Sequence, residues 1–219
     1  MLIEFSIDNF LSYKTAQTLS LVPSKKLKED KLKDEHFTQV EIKSASTTKK
    51  IALLKSIAIY GANASGKSNL IKALSLVKWL VANSSKESQA GDKIDVIPFL
   101  LNEETMKKPS MFELVFLIEQ IPFRYGFKAD TKEIKNEWLF YSPRGKEAKL
   151  FVREGDKIEV GLDFKEGRSI LNLVNPIREN ALFLSVCAQH GRRGQAQTIV
   201  EWFKGISIIS GLQDLGPML

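Results

Sequence analysis

Apolar and polar residues alternate from the start of the chain. In LIEFSIDNF, Leu2, Glu4, Ser6 and Asp8 alternate with Ile3, Phe5, Ile7 and Asn9, a period of two that predicts a strand. A second alternating run over residues 17–22 follows Leu11, Ser12 and Tyr13 and predicts an antiparallel partner, so residues 1–22 read as N-terminal strands. Residues 23–50 are polar, lysine-rich and aperiodic, which predicts an exposed insertion or mobile loop holding a helical turn. The run Leu53, Leu54, Lys55, Ser56, Ile57, Ala58, Ile59, Tyr60 is short, β-rich and stops at Gly61, as a buried central strand would. The period then becomes helical, with Leu70, Ile71, Leu74, Val77 and Leu80 on one stripe from 67 to about 82 and Asn83, Ser84 and Ser85 closing the helix. Residues 51–82 are therefore read as one strand and one helix joined by a tight loop.

The pattern changes again over 111–164. FELVFLI, FRYGFKA, EWLFYS, KLFVRE and KIEVGLDF are strand-like runs separated by turn residues at 119–120, 130–131, 142–145 and 155–156, which predicts an antiparallel meander. Asn175 and Pro176 suggest an N-cap and first helical position, with that helix ending near Gly191. A further helix over about 195–204 closes at Gly205, so 175–205 reads as helical, and residues 206–209 resemble the start of another strand. No internal repeat is visible. The fold class expected is α/β.

Composition narrows this only a little. A chain of 219 residues, 43% apolar and 26% charged, is ordinary for a packed domain. No apolar run approaches the ~20 residues that span a bilayer, and the acidic N-terminus has no basic segment ahead of an apolar block. A soluble, cytoplasmic protein with no membrane contact is expected. The single cysteine, Cys187, fits a reducing compartment and reads as a buried structural thiol. With two histidines and one cysteine, a zinc site is not expected. The +6 charge permits contact with DNA or RNA without requiring it, because the basic residues are mostly interleaved with acids.

The chemistry sits between the strand and helix of 51–82. GANASGKS at 61–68 satisfies G-x-x-x-x-G-K-[ST] at every fixed position. Four fixed positions recur by chance in roughly 1% of chains this long at average residue frequencies, and the flanking strand and helix patterns are also met. Glycines at 61 and 66 let the backbone approach an anion closely. Successive N–H groups at a helix start favour negative charge. Gly61, Ala62, Asn63, Ala64, Ser65, Gly66, Lys67 and Ser68 are the candidate binding residues for ATP. Lys67 would reach the β- and γ-phosphates as the catalytic lysine, and the Ser68 hydroxyl would hold Mg²⁺.

Other candidates carry less. Ser185, Cys187 and His190 lie close in sequence, but at helical spacing Cys187 and His190 read as packing or capping residues rather than a dyad. Arg192 and Arg193 read as a solvated turn, with a phosphate clamp as the alternative. Phe112, Phe116, Phe123, Tyr125, Phe127, Trp138, Phe140 and Tyr141 read as core rather than as a base-stacking platform.

The strand LIEFSIDNFLSY followed by IYGANASGKSNLIKAL resembles ABC-type ATPases of the SMC and RecF group, with their N-F-x-S-[FY] and G-x-N-x-[SA]-G-K-S-N patterns. IPFLLN, PSMFELVF, FRYGF, EWLFY, KLFVRE and ENALFLS resemble bacterial AAA-labelled ATP-binding proteins of the RloA and abortive-infection type, many of which belong to phage-defence loci. The resemblance covers the N-terminal half of such proteins. It implies a P-loop NTPase head lobe with a mixed sheet around the P-loop strand, an antiparallel β-subdomain, and ATP held between two subunits. The resemblance to the SMC and RecF group also adds Asn69 to the candidate binding residues for ATP. Leu11 stands where many relatives carry arginine, and Gln89 and Gln120 lack the setting of a Q-loop glutamine. After Ser68 nothing reads as LSGGE, as a strand ending in Asp-Glu, or as a switch histidine. A single incomplete lobe is therefore expected, either forming a homodimer or bound to a partner chain that carries the C-terminal ATPase lobe, and hydrolysis needs that missing lobe. Alternatives are a nucleotide-sensing module without turnover and a small P-loop kinase, the latter opposed by the long β meander.

Overall fold

The computed structural model describes residues 1–24, 34–43, 48–173, 177–190 and 194–209. Its frame is a seven-stranded sheet built from β1 (Leu2–Asp8), β2 (Gln17–Ser20), β5 (Ser110–Ile118), β6 (Ile121–Ala129), β7 (Ile134–Tyr141), β8 (Ala148–Glu154) and β9 (Lys157–Val160), in the order β2-β1-β5-β6-β7-β8-β9. Period-two burial explains the strands: Phe5 and Ile7 are buried in β1, and Phe112, Leu114 and Phe116 in β5, while a register shift at Ile3 turns that residue to the other face. The β5–β6 hairpin turns on Glu119 and Gln120, both at positive φ (48° and 67°), the geometry that matches the twist of a tight hairpin.

Helices cover the face that carries Phe112, Leu114 and Phe116. Helix α1 (Lys67–Asn83) buries Leu70, Ala73, Val77, Leu80 and Val81 and packs against α4 (Phe183–His190) and α5 (Gln195–Lys204). Trp202 of α5 stacks on Phe116 with centroids 4.1 Å apart, and Phe203 meets Phe116 and Tyr125 edge-on. The shorter helices are α2 (Glu103–Met106), with Asn102 accepting from the amides of Glu104 and Thr105, and α3 (Lys165–Leu173). A separate hairpin, β3 (Phe37–Lys43) and β4 (Thr48–Leu54), places Leu53 with Ile3 and Leu117, so it covers part of the opposite face.

Several expectations are corrected. Residues 37–43 and 48–50 belong to a β-hairpin instead of an aperiodic loop, while the expected helical turn is present as a 3-10 turn at Asp34–His36. The hairpin is legible in hindsight from Val40 opposite Ile51, with Ile42 packed against the same small cluster, among lysines. Only Leu53 and Leu54 of the expected central strand are in a strand. Lys55 still donates to His36, and then residues 56–60 run without strand pairing, with Ile57 and Ile59 exposed and Tyr60 90% exposed. Apolar residues alone do not make a strand when no neighbour offers rungs.

Nor does the sheet divide into a mixed core and a separate subdomain. Among the described residues every strand pair is antiparallel, and the meander continues directly into β1 and β2. The expected helix from 176 starts at Phe183, because Glu137 of β7, not a local residue, accepts from the amides of Phe183 (2.6 Å) and Leu184 (3.0 Å). Asn175, Pro176, Arg192 and Arg193 lie outside the described residues. Residues 206–209 form no strand. Helices α1 and α5 lie where the periodicity puts them, whereas α3 was not anticipated.

Candidate functional site

The loop 61–66 leads into α1 through a left-handed turn. Ala64 has φ 62° and Gly66 φ 92°, the latter at the helix N-cap with no side-chain cap. Within the loop the Ser65 amide donates to the Ala62 carbonyl (3.2 Å) and the Asn69 amide to the Gly66 carbonyl (2.9 Å). Among the described residues no carbonyl accepts from the amides of Gly66, Lys67 or Ser68. Three consecutive donors at a helix start are therefore left for an anion, in the field of the helix dipole.

Lys67 completes this arrangement. Its ammonium donates to the carbonyls of Gly61 and Ala62, both at 2.7 Å, and lies 3.4 Å from the Ser65 hydroxyl. Two of its three N–H groups are thereby braced across the loop, and the third, at best weakly held, remains for a ligand. A side chain at Gly61 would meet the Ser65 hydroxyl at 2.7 Å, so glycine leaves the loop room to close on itself. Gly61, Ala62, Asn63, Ala64, Ser65 and Ser68 are exposed, Lys67 and Asn69 half-buried, and Gly66 buried. Apart from the Lys67 ammonium, no described side chain crosses the loop.

The structure thus brings all nine motif residues together, on an open surface. Clefts of about 410 Å³ beside Gln197 and Glu201 and about 340 Å³ beside Met106 and Lys132 are lined by none of them. The donor set fits a polyphosphate with Mg²⁺: orphaned amides and an ammonium for the anion, and the exposed Ser68 hydroxyl for a hydrated cation that keeps most of its ligands from phosphate and water. Among the described residues, no cluster of three His, Cys, Asp or Glu could hold a metal by itself.

Residues that sequence reasoning passed over hold the loop from behind. Asn69 donates through Nδ2 to the Ser12 hydroxyl (2.9 Å), and the Tyr13 hydroxyl donates to the Gly66 carbonyl (3.2 Å). Partial burial pushes the Tyr13 phenol up, so it remains a donor. Their turn is itself tied down. Asn9 donates to the carbonyls of Thr105 and Lys108 (2.8 Å each) and accepts from the Phe99 amide, while buried Phe10 packs on Phe112. The N-F-x-S-[FY] pattern was the available signal, and it assigned these side chains no chemistry. Leu11, at φ 50°, donates its amide to the Ile97 carbonyl and packs on the core.

Elsewhere the remaining candidates are structural. Ser185 binds Ser85 (2.9 Å), Cys187 is buried and its thiol pushed up by burial, and His190 is exposed, with no bond joining the three. Gln89 lies in the loop after α1 and Gln120 in the β5–β6 turn. Phe112, Phe116, Phe123, Tyr125, Phe127 and Tyr141 are core, whereas Trp138 and Phe140 lie half-buried on the other face, with Arg124 over the Phe140 ring at 4.4 Å. No described helix is long and apolar enough to cross a membrane.

No curated protein matches this chain. The model of one family, described as "AAA domain, putative AbiEii toxin, Type IV TA system", matches residues 56–185, more than half of the chain, including the whole loop and α1. The chain belongs to this AAA-domain family of nucleotide-binding P-loop proteins.

Proposed function

We propose that this chain is the nucleotide-binding lobe of an ABC-type ATPase, in which residues 61–69 hold ATP with Mg²⁺. The observation that carries the reading is the set of three orphaned amides at the start of α1 beside a lysine braced by the Gly61 and Ala62 carbonyls. The amides and the free N–H of Lys67 would bind phosphate oxygens, and Ser68 would orient the cation. Bound Mg²⁺ offsets phosphate charge as the transferred group develops its own. The chain's own residues orient the polyphosphate and neutralise it.

Hydrolysis, in this reading, requires a lobe that supplies a general base and a contact from the far side, on a partner chain or a C-terminal segment. Support comes from the open loop, which has a floor and no walls, and from the apolar stretch Ile57, Ile59 and Tyr60, which is exposed and without rungs. Ile71 and Trp79 on the outer stripe of α1 are each 44% exposed as well. The toxin–antitoxin wording of the family description supports a place in a defence system.

Calorimetry of ATP binding with Lys67→Ala tests the assignment. Losing a charge-assisted bond of roughly 1.5–3 kcal/mol lowers affinity about 10- to 150-fold, while circular dichroism stays that of the wild type. Equal affinity in the variant would refute the role of Lys67. Turnover by this chain alone should be far below the ~1 s⁻¹ of a complete enzyme. Binding without turnover, unchanged by any added C-terminal lobe, would favour a sensing module.

A further inference from the structure

We propose that Ser12 and Tyr13 are positioning residues for the triphosphate, acting through the peptide plane between Gly66 and Lys67. This rests on the nucleotide-binding reading above and extends it to residues outside the loop. A trans peptide is planar, with its C=O and N–H on opposite edges. The Gly66 carbonyl accepts from the Tyr13 hydroxyl (3.2 Å) and from the Asn69 amide (2.9 Å), so the direction of the Lys67 N–H is set by the same two contacts. That N–H is one of the three orphaned donors. Ser12 holds the other end of the turn by accepting from Asn69 Nδ2 (2.9 Å), and its hydroxyl lies so close to Gly66 that a β-carbon there would collide with it.

A clasp is needed because nothing upstream steadies the loop. Residues 56–60 enter it without a backbone hydrogen bond among the described residues, and residues 61–65 are exposed. Side chains from outside the loop reach 61–69 by hydrogen bonds only at Gly66 and Asn69 among the described residues, and both come from the β1–β2 turn. That turn is rigid: Asn9 and Leu11 sit at φ 50° each, Asn9 is held by the α2 region, and Phe10 is in the core. A fixed turn thus presets an otherwise loosely held donor array, and preorganised donors bind more tightly because less order is lost on binding.

The test compares Tyr13→Phe, which removes only a hydroxyl, with Ser12→Ala, Ser12→Thr, Asn69→Ala and the Ser12→Ala/Asn69→Ala pair, using ATP with Mg²⁺ as probe. Tyr13→Phe and Ser12→Ala should each weaken ATP binding about five-fold, and the pair should be no worse than its weaker single variant. Ser12→Thr, which keeps the hydroxyl, should bind as the wild type does. Backbone order parameters of residues 66–69 in the nucleotide-free chain should fall from about 0.85 toward 0.6 in the weakened variants. The thermal midpoint without nucleotide should not move. Unchanged affinity in Tyr13→Phe and Ser12→Ala overturns the proposal, as does a lowered midpoint that accounts for the loss. If the wild-type chain binds no ATP, the nucleotide-binding reading itself fails; if Lys67→Ala loses binding and these variants do not, only the clasp fails.

Discussion

Replacing Glu137 by alanine should remove about 3–5 kcal/mol of stability, although Glu137 touches neither the loop nor solvent. Its carboxylate is fully buried and accepts from the amides of Phe183 (2.6 Å) and Leu184 (3.0 Å) at the start of α4, and from the Tyr125 hydroxyl (2.9 Å). Across the β7–β8 register stands Arg153, also buried, whose guanidinium donates to the carbonyls of Gly155 (2.8 Å), Ala181 (2.7 Å) and Arg178 (3.3 Å). Alanine strands three donors and leaves the Arg153 charge without a buried counter-charge. Each dry donor alone costs roughly 1–3 kcal/mol, but they share one cavity that water can enter, so the sum is capped near the cost of breaking a buried charged network. Glutamine keeps the shape and one acceptor oxygen and should lose about 1–3 kcal/mol. Because domains are stable by only about 5–15 kcal/mol, urea titration followed by circular dichroism resolves all three. The expected order is wild type above Glu137→Gln above Glu137→Ala with an unchanged m-value. An alanine variant within about 1 kcal/mol of wild type would refute the capping role.

Gly66→Ala should weaken ATP binding about tenfold, since φ 92° adds roughly 1–2 kcal/mol of strain to a residue with a β-carbon and the Ser12 hydroxyl must move; equal calorimetric affinity would refute the left-handed cap. Cys187, with its thiol pushed up by burial and by the Glu137 and Glu166 charges, should resist a disulfide reagent in mildly alkaline buffer until denaturant is added, as mass spectrometry will read. Arg124 holds the Glu147 carboxyl below its ordinary 4.5 through their hydrogen bonds, so the pair stabilises the fold above that value and the contribution is lost as pH falls through the lower folded one. Arg124→Ala should therefore flatten the acid side of a thermal-midpoint profile, by less than about 1 kcal/mol for so exposed a pair; an unaltered profile would refute it.

Local pattern carried the elements whose partners are uniform. The alternation in β1 and β5 to β8 needs little beyond a packed face, and the stripe in α1 only a sheet beneath it, so these elements were legible. Ile71 of the expected stripe is nevertheless exposed, and the last expected strand stops at Val160, with residues 161–164 outside it. What failed was set by distant residues. The start of α4 is fixed by a carboxylate 46 residues upstream, and without it the nearest local signal, Asn175 and Pro176, pointed to the wrong place. The end of α1 is likewise gathered by Arg178, which donates to the carbonyls of Ser84 and Ser85 from more than 90 residues away. Short apolar positions diluted by lysine hid the β3–β4 hairpin, because Val40, Ile42 and Ile51 bury only against Ile3, Leu117 and their neighbours.

The candidate site divides along the same line, and the division bears on what the loop can do. Its motif is contiguous, so residue types at fixed spacing announced the donors, the lysine and the hydroxyl. The contacts that aim those donors join residues 53 and 57 apart, and no spacing rule could have linked Tyr13 to Gly66 or Ser12 to Asn69. The stretch 56–60 was read as buried because its composition is that of a buried strand, and composition of that kind on an exposed, unpaired backbone is a demand for a covering surface. A loop steadied on one side by the N-terminal turn and bare on the other is half of a phosphate site. On the proposed reading its donors hold a polyphosphate, and the groups that activate water come with whatever covers Ile57, Ile59 and Tyr60. Binding and turnover should therefore separate experimentally: substitutions at Ser12, Tyr13 and Lys67 act on affinity in this chain alone, whereas charged substitutions at Ile57 or Ile59 should leave that affinity intact and abolish only the activity gained on adding the completing lobe.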